Sequence, residues 1–287
     1  MTASVTAAGV HTTVNYILNR PSAGRPTLEF VSEDESLSTM KTLPGTPVFI
    51  TDARYAAAQG RQFDLDTDGF GLFRSTRSIA DYDEIEEDPE VDRFYEEQIV
   101  AQVREITGAA LVLGFGAPKK RYGETALDKL AGLANAKPAR FPHADFCDEA
   151  ARSNVKSMCP DHETRFSRYA LYNVWQVTNS PPQDIPLAVC AANTVSPQDE
   201  LPVTVVTRTR VTVGEVLAPI VSYEANPDHR WYYYPDMTPD ELLVFKGFDS
   251  DPSRAHRVPH TAFSDPSCPA GTPTRSSVEL RLVAYFE

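Results

Sequence analysis

Residues 259–281 read PHTAFSDPSCPAGTPTRSSVELR. Within this stretch His260 stands fifteen residues before Arg275, which opens the Arg-x-Ser triplet Arg275-Ser276-Ser277. Upstream, residues 139–146 read ARFPHADF, so that His143 precedes Asp145 by two positions. Side chains two apart on a strand point to the same face, and His143 and Asp145 can therefore meet one metal ion. Two neutral imidazoles and one carboxylate occupy one face of an octahedral iron(II), leaving three adjacent positions for a chelating cosubstrate and O₂. An arginine beyond the last histidine can pair bidentately with the far carboxylate of 2-oxoglutarate. The expected chemistry is that of an iron(II)/2-oxoglutarate oxygenase with a catalytic, metal-holding set on these residues. On spacing alone His256 competes with His260 for the third ligand position.

The bulk numbers agree with an ordinary globular enzyme. Of the 287 residues 41% are hydrophobic and 23% charged. There are 27 Lys+Arg against 40 Asp+Glu, a formal charge of −13. Such a surface repels polyanions, which argues against nucleic acid or an anionic membrane as partner and for a small-molecule substrate. The first eighteen residues, MTASVTAAGVHTTVNYIL, lack a basic region and a long apolar core, so no signal peptide is expected. No run of eighteen apolar residues suits a membrane span. Cys147, Cys159, Cys190 and Cys268 form no Cys-x-x-Cys pair. They read as reduced thiols of a cytoplasmic protein.

Outward from the site, the chain changes texture. Residues 12–46 hold short apolar pieces (14–18, 28–31) and read as an N-terminal arm laid over the body. Pro47-Val48-Phe49-Ile50-Thr51 reads as a strand that Pro47 opens, since proline has no N–H for the ladder. Phe63-Asp64-Leu65-Asp66 alternates like a second short strand. The acidic run from Asp81 reads as a solvated loop leading to a helix start at Asp88-Pro89-Glu90. Asp88 can cap the free N–H groups there, and Pro89 suits the first turn. Val91, Phe94, Tyr95, Ile99, Val103 and Ile106 then recur at helical spacing as far as Gly108. A strand follows at 109–115 and a second helix at 124–136. From Ala139 onward the pattern is β, with strands at 168–176, 185–192, 203–213, 229–234, 241–245 and 277–286. Helices first and many short strands after predict an α+β chain with a mainly β core: a double-stranded β-helix, or jelly-roll, with flanking helices. One domain is expected over 1–287: an arm at 1–46, strands and packing helices at 47–138, and the jelly-roll core at 139–287.

The block 229-HRWYYYPDMTPDELLVFKGFDSD-251, with PHTAF at 259–263 and RSSVELR at 275–281, resembles a known enzyme family. This is the hydroxylase/desaturase family of fungal and bacterial secondary metabolism, with gibberellin desaturase and cephamycin 7α-methoxylation relatives. Asp52-Ala53-Arg54, Gly69-Phe70, Thr107-Gly108-Ala109, the segment from Arg168 to Trp175, and Pro186-Leu187-Ala188 extend the resemblance over most of the chain. It implies iron(II), 2-oxoglutarate and O₂, and oxidation of an sp³ carbon of a small metabolite. Carried over by position, His143, Asp145 and His260 become the iron ligands, and PHTAF favours His260 over His256. Arg275 becomes the cosubstrate anchor and Ser277 a second contact on the same strand face. Asn173, which shares a strand face with Trp175, is read from that parity as a further cosubstrate contact. Two departures, Gln176-Val177 where Arg-Pro is usual and Ala191-Ala192-Asn193 where Asp is usual, bear on the substrate. The pocket is expected to include Trp175, Gln176, Trp231 and Tyr233. The aromatics between Trp231 and Tyr234 can equally serve the core or a homodimer surface. Two other readings stay open: a cupin-like metal isomerase or oxygenase without 2-oxoglutarate, and a non-catalytic accessory subunit.

Overall fold

The computed structural model describes residues 8–22, 27–31, 38–76, 79, 84–85, 87–123, 137–208 and 215–287. Two antiparallel-rich sheets carry the fold. The larger has nine strands: β1 (Gly9–Ile17), β3 (Thr42–Asp52), β11 (Trp231–Tyr233), β8 (Leu187–Cys190), β13 (His260–Ala262), β6 (His143–Ala144), β10 (Glu215–Tyr223), β9 (Glu200–Arg208) and β2 (Leu28–Val31), in that spatial order. The smaller holds β4 (Phe70–Arg74), β12 (Glu241–Asp249), β7 (Arg168–Val177), β14 (Ser276–Phe286) and β5 (Leu111–Tyr122). Leu187, Val189 and Ala191 from one sheet pack against Phe70, Trp175, Leu243 and Phe245 from the other, and this core joins the two. The result is the α+β, mainly β, double-stranded β-helix expected from the pattern.

Both faces of the smaller sheet are used. Val278, Leu280, Leu282 and Ala284 of β14 point away from the larger sheet, with Tyr172 and Val174 of β7. They meet Tyr95, Ile99 and Val103 of α2 (Pro89–Thr107). Each such buried apolar side chain contributes roughly 1.5–3 kcal/mol. Helix α2 begins as expected: Asp88 accepts from the Glu90 N–H at 2.9 Å, with Pro89 in the first turn. It ends at Gly108, whose φ of 67° is left-handed and suits a residue without Cβ. Two helices fall in the region from Ala139 that was expected to be β: α3 (Asp148–Met158) and the single turn α4 (His162–Arg165), after α1 (Ala53–Ala58) near the start. Ala151 and Val155 of α3 pack on Leu171, Phe248, Val283 and Tyr285, covering one end of the space between the sheets.

Several sequence expectations change. The N-terminal segment is no arm laid over the body, because β1 and β2 are hydrogen-bonded in as the two outer strands of the nine-stranded sheet. That sheet is curled: Val10, Val14 and Tyr16 of β1 share a cluster with Val221 and Tyr223 of β10. Core strands also begin well before Ala139, since β4 and β5 belong to the smaller sheet. Pro47 lies inside β3, opposite Thr13, rather than opening it. Among the described residues β3 pairs on its other side through Ile50–Asp52 alone, which leaves the stretch at Pro47 without a second strand partner there, where a missing N–H is tolerated. Phe63–Asp66 is not a strand. Asp64 accepts from the N–H groups of Asp66 at 2.9 Å and Thr67 at 2.8 Å, and this Asx-type bonding bends the chain into a turn. The expected helix at 124–136, much of the acidic run from Asp81 and the end of the 203–213 strand lie outside the described residues. Among the described residues no helix is long and apolar enough to cross a membrane.

Candidate metal centre

Three strands that are distant in sequence bring the donors together. β13 pairs antiparallel with both β6 and β8, setting His260 directly opposite His143 on one side and Val189 on the other. Directly paired residues share a face, so both histidines point into the space between the sheets, as Val189 does. Asp145 follows β6 immediately and keeps the side of His143. Ligand atoms of His143, Asp145 and His260 all lie within 4.8 Å of one another. The imidazole rings sit 4.3 Å apart between centroids, and Phe245 lies 4.7 Å from the His260 ring.

The histidines are oriented by the backbone. Nδ1 of His143 is 3.0 Å from the carbonyl of Phe141, and Nδ1 of His260 is 3.2 Å from that of Val258. In each case the partner lies two residues earlier. A carbonyl only accepts, so Nδ1 carries the proton and Nε2 keeps its lone pair for a metal. Each Nε2 is 3.9 Å from an oxygen of Asp145. Burial, then the neighbouring His260, pushes the pKa of His143 down to about 4, which keeps the ring neutral at pH 7. Burial alone would raise the Asp145 carboxyl. The charge of Arg281 outweighs it, with help from both histidines and the Asn173 amide, and holds Asp145 below the usual carboxylate range. Two imidazole Nε2 atoms turned inward and one ionised carboxylate are the donor set that suits iron(II).

Arg275 lies just before β14 and is 2% exposed. Its Nε and Nη2 have no hydrogen-bond partner among the described residues, and its guanidinium lies 5.5 Å from the Trp175 ring. Burial first, then the nearby Arg121, lowers its pKa to about 10. A desolvated guanidinium with unused donors is costly unless an anion meets it, and a carboxylate fits its fork. Ser277 is fully buried two residues on, on the side of the strand that carries Glu279 and Arg281. The residues present therefore fit both iron(II) and a dicarboxylate.

Other expected site residues fall differently. His256 is not in the centre: its Nε2 is 3.2 Å from Asp148 and its Nδ1 3.0 Å from the Asp249 carbonyl. Asn173 donates its amide to Asp145, so it touches the candidate metal ligand, while its Oδ1 has no partner among the described residues. Gln176 does not line the pocket. It follows Trp175 on β7 and so faces the opposite side, under α2. There it accepts from the Tyr95 hydroxyl at 3.1 Å and donates to the Pro239 carbonyl at 2.6 Å. Trp231 and Tyr233 also face away: they pair with Cys190 and Ala188, whereas Tyr232 pairs with Val189, the residue opposite His260. Both pack in a second core with Tyr16 and Ile50, and Trp231 donates to the Tyr16 hydroxyl at 2.8 Å. Of the four expected pocket residues, Trp175 alone faces the space between the sheets.

Arg281 and Glu279, absent from the expected site residues, also belong to the centre. Arg281 donates at 2.8 Å both to Asp145 and to Glu279. Arg121 of β5 approaches Glu279 at 3.5 Å. The signal was the alternation Ser277, Glu279, Arg281 against Val278, Leu280, Leu282. A polar stripe on a strand whose apolar stripe already packs under a helix points to a polar interior.

Known proteins match this architecture along its length. The family model described as an oxidoreductase/YMDC permease-like domain matches residues 14–285. Hydroxylase/desaturase efuI of Hormonema carpetanum is 28% identical over 306 aligned positions, covering 100% of this chain and 98% of its own. Hydroxylase/desaturase CTB9 of Cercospora beticola is 30% identical over 258 positions, 78% of this chain and 72% of that protein. Among solved structures, iron and alpha-ketoglutarate-dependent endoperoxidase NvfI superimposes with a TM-score of 0.82 at 25% identity, covering 98% of each chain. With a donor set that suits iron(II) and enzymes of this kind matching it from end to end, the chain belongs to this oxidoreductase family, the iron(II)/2-oxoglutarate-dependent dioxygenases that include the fungal hydroxylase/desaturases.

Proposed function

We propose that His143, Asp145 and His260 hold the iron, that Arg275 and Ser277 hold the distal carboxylate of 2-oxoglutarate, and that the enzyme oxidises an sp³ C–H bond of a small secondary metabolite. The carrying observation is the pairing of a three-donor cluster with a buried guanidinium whose Nε and Nη2 have no hydrogen-bond partner among the described residues. A metal isomerase without cosubstrate has no use for such an arginine, and an accessory subunit has no use for the donors.

Bound iron, with 2-oxoglutarate and O₂, supplies the oxidising power for an unactivated C–H bond. The chain's own residues supply placement. His143 and His260 present lone pairs because their Nδ1 protons are tied to backbone carbonyls. Arg275 fixes the far end of the dicarboxylate, so that its other end meets the metal in one orientation. Phe141 and Phe245 pack on the two imidazoles, keeping water from their apolar faces. No general base is needed for hydrogen abstraction. Hydroxylation or desaturation is the outcome that relatives named hydroxylase/desaturase suggest. We further assign residues 1–287 to one oxygenase domain working in the cytoplasm, where the four unpaired cysteines would stay reduced.

The test is succinate release. Purified protein with iron(II), 2-oxoglutarate and O₂ should release succinate slowly alone and faster with a cognate metabolite. Iron binding without any 2-oxoglutarate turnover, across a broad set of metabolites, would reject the oxygenase assignment in favour of a cosubstrate-free metal protein.

A further inference from the structure

Resting on the proposed metal ligands, we propose that Arg281 is the positioning residue of this centre. It sets the carboxylate of Asp145 before the metal arrives, and Glu279 is the counter-charge that makes an arginine tolerable there. Asp145 has donors on both oxygens: Asn173 on Oδ2 and Arg281 on Oδ1, the latter at 2.8 Å. The same Nη2 of Arg281 reaches Oε1 of Glu279 at 2.8 Å, and Oε2 of Glu279 lies 3.5 Å from Arg121. Charges thus alternate along Asp145, Arg281, Glu279 and Arg121, and the row sums to zero.

This row is not a solvated surface ion pair. Side-chain exposure is 7% for Asp145, 28% for Arg281, 17% for Glu279 and 19% for Arg121. Charges this shielded are costly, and apolar residues of similar size stabilise a fold at least as well. Stability therefore does not account for the row; its direction does. It runs along the inward face of β14 and ends on a candidate metal ligand. A planar guanidinium aims its N–H along a fixed line, here at Oδ1 of Asp145. A cation so close to a dication would weaken metal binding. Glu279 offsets that charge while leaving the N–H in place.

The test is anaerobic iron(II) titration of the full chain, read by affinity and by the visible charge-transfer band that forms with 2-oxoglutarate. Outer partners of metal ligands typically affect metal affinity by roughly 10–100-fold. Arg281→Gln should weaken iron binding within that range and shift the band. Its metal-free melting temperature should fall, because Asp145 and Glu279 lose their shared counter-charge, while its 2-oxoglutarate affinity at saturating iron should stay close to wild type. Arg281→Lys, whose ammonium keeps the charge but has no fixed N–H direction, should fall between wild type and Arg281→Gln. Glu279→Gln should also weaken iron binding, by leaving Arg281 unopposed. A folded Arg281→Gln protein with wild-type affinity and an unshifted band overturns the proposal. If Arg281→Gln does not fold, wild-type affinity and band in Arg281→Lys overturn it equally. His143→Ala separates the two levels of inference. If that variant still binds iron as wild type does, the ligand assignment fails; if it loses iron while Arg281→Gln does not, only the positioning role fails.

Discussion

His256 and His260 are four residues apart, and what holds each of them separates their roles. His256 is bound at both nitrogens, to Asp148 and to the Asp249 carbonyl, and its ring packs on Phe248. His260 is tied at Nδ1 only, and its Nε2 looks toward Asp145. His143→Ala and His260→Ala should each abolish tight iron(II) binding and succinate formation, while His256→Ala should leave iron affinity within about threefold of wild type. Isothermal titration with iron(II) under nitrogen checks this, and an essential His256 beside a dispensable His260 would reverse the assignment. Arg275 belongs to the same scale. Arg275→Ala should cost about 1.5–3 kcal/mol of 2-oxoglutarate binding, the worth of hydrogen bonds to a charged group, with iron affinity kept. Unchanged 2-oxoglutarate affinity in that variant would remove Arg275 as the anchor. The ligand types and the arginine were visible in the sequence because chemistry restricts which residues can do these jobs. Asn173 is legible in the sequence as an inward-facing polar residue expected at the cosubstrate; its bond to Asp145 is not, since it joins two segments 28 positions apart.

Among the elements, β7 and β14 show how a period of two allots function. On β7, Asn173 and Trp175 face the site, whereas Val174 and Gln176 face α2. Reading Gln176 as a substrate contact ignored that parity: a residue next to Trp175 cannot share its face. Gln176→Arg should therefore leave substrate preference unchanged. It should instead lower stability by several kcal/mol, on the order expected for an unpaired charge beneath a helix. Chemical denaturation of the variant reads this directly. A stable variant with altered preference between neutral and carboxylated substrates would restore Gln176 to the pocket. Helix α2 itself was legible to within a residue, because its cap, its apolar spacing and its left-handed stop are all local. Helix α3 was missed: Cys147 at its N-cap makes no side-chain hydrogen bond, so a cap signal was lacking.

At the scale of the molecule, the edge strand β1 is fastened by a buried polar cluster. The Tyr16 hydroxyl lies 2.9 Å from Nδ1 of His229, and Nε2 of His229 lies 3.2 Å from Asp199. Trp231 donates to the same hydroxyl. Burial holds the pKa of His229 below its ordinary 6.5, more than Asp199 raises it. The unfolded chain therefore takes up this proton first as pH falls. Stability should drop from about pH 6.5 downward until the folded pKa is reached, and be insensitive to this group above that. His229→Gln should flatten the fall of melting temperature between pH 7 and 5. An unchanged pH slope would show that His229 does not couple protonation to folding.

From the sequence alone came the element types, the donor chemistry and the mainly β architecture, because alternation, caps and ligand types are properties of short stretches. The tertiary structure decided what depends on pairing between distant strands: that β1 and β2 edge the large sheet, and that His143 meets His260. It also decided that Trp231 and Tyr233 face away from the site and that Arg281 holds Asp145. A strand's own sequence says which residues share a face. Which of its two faces looks into the interior is set by register with neighbours elsewhere in the chain, and a one-residue shift would exchange them.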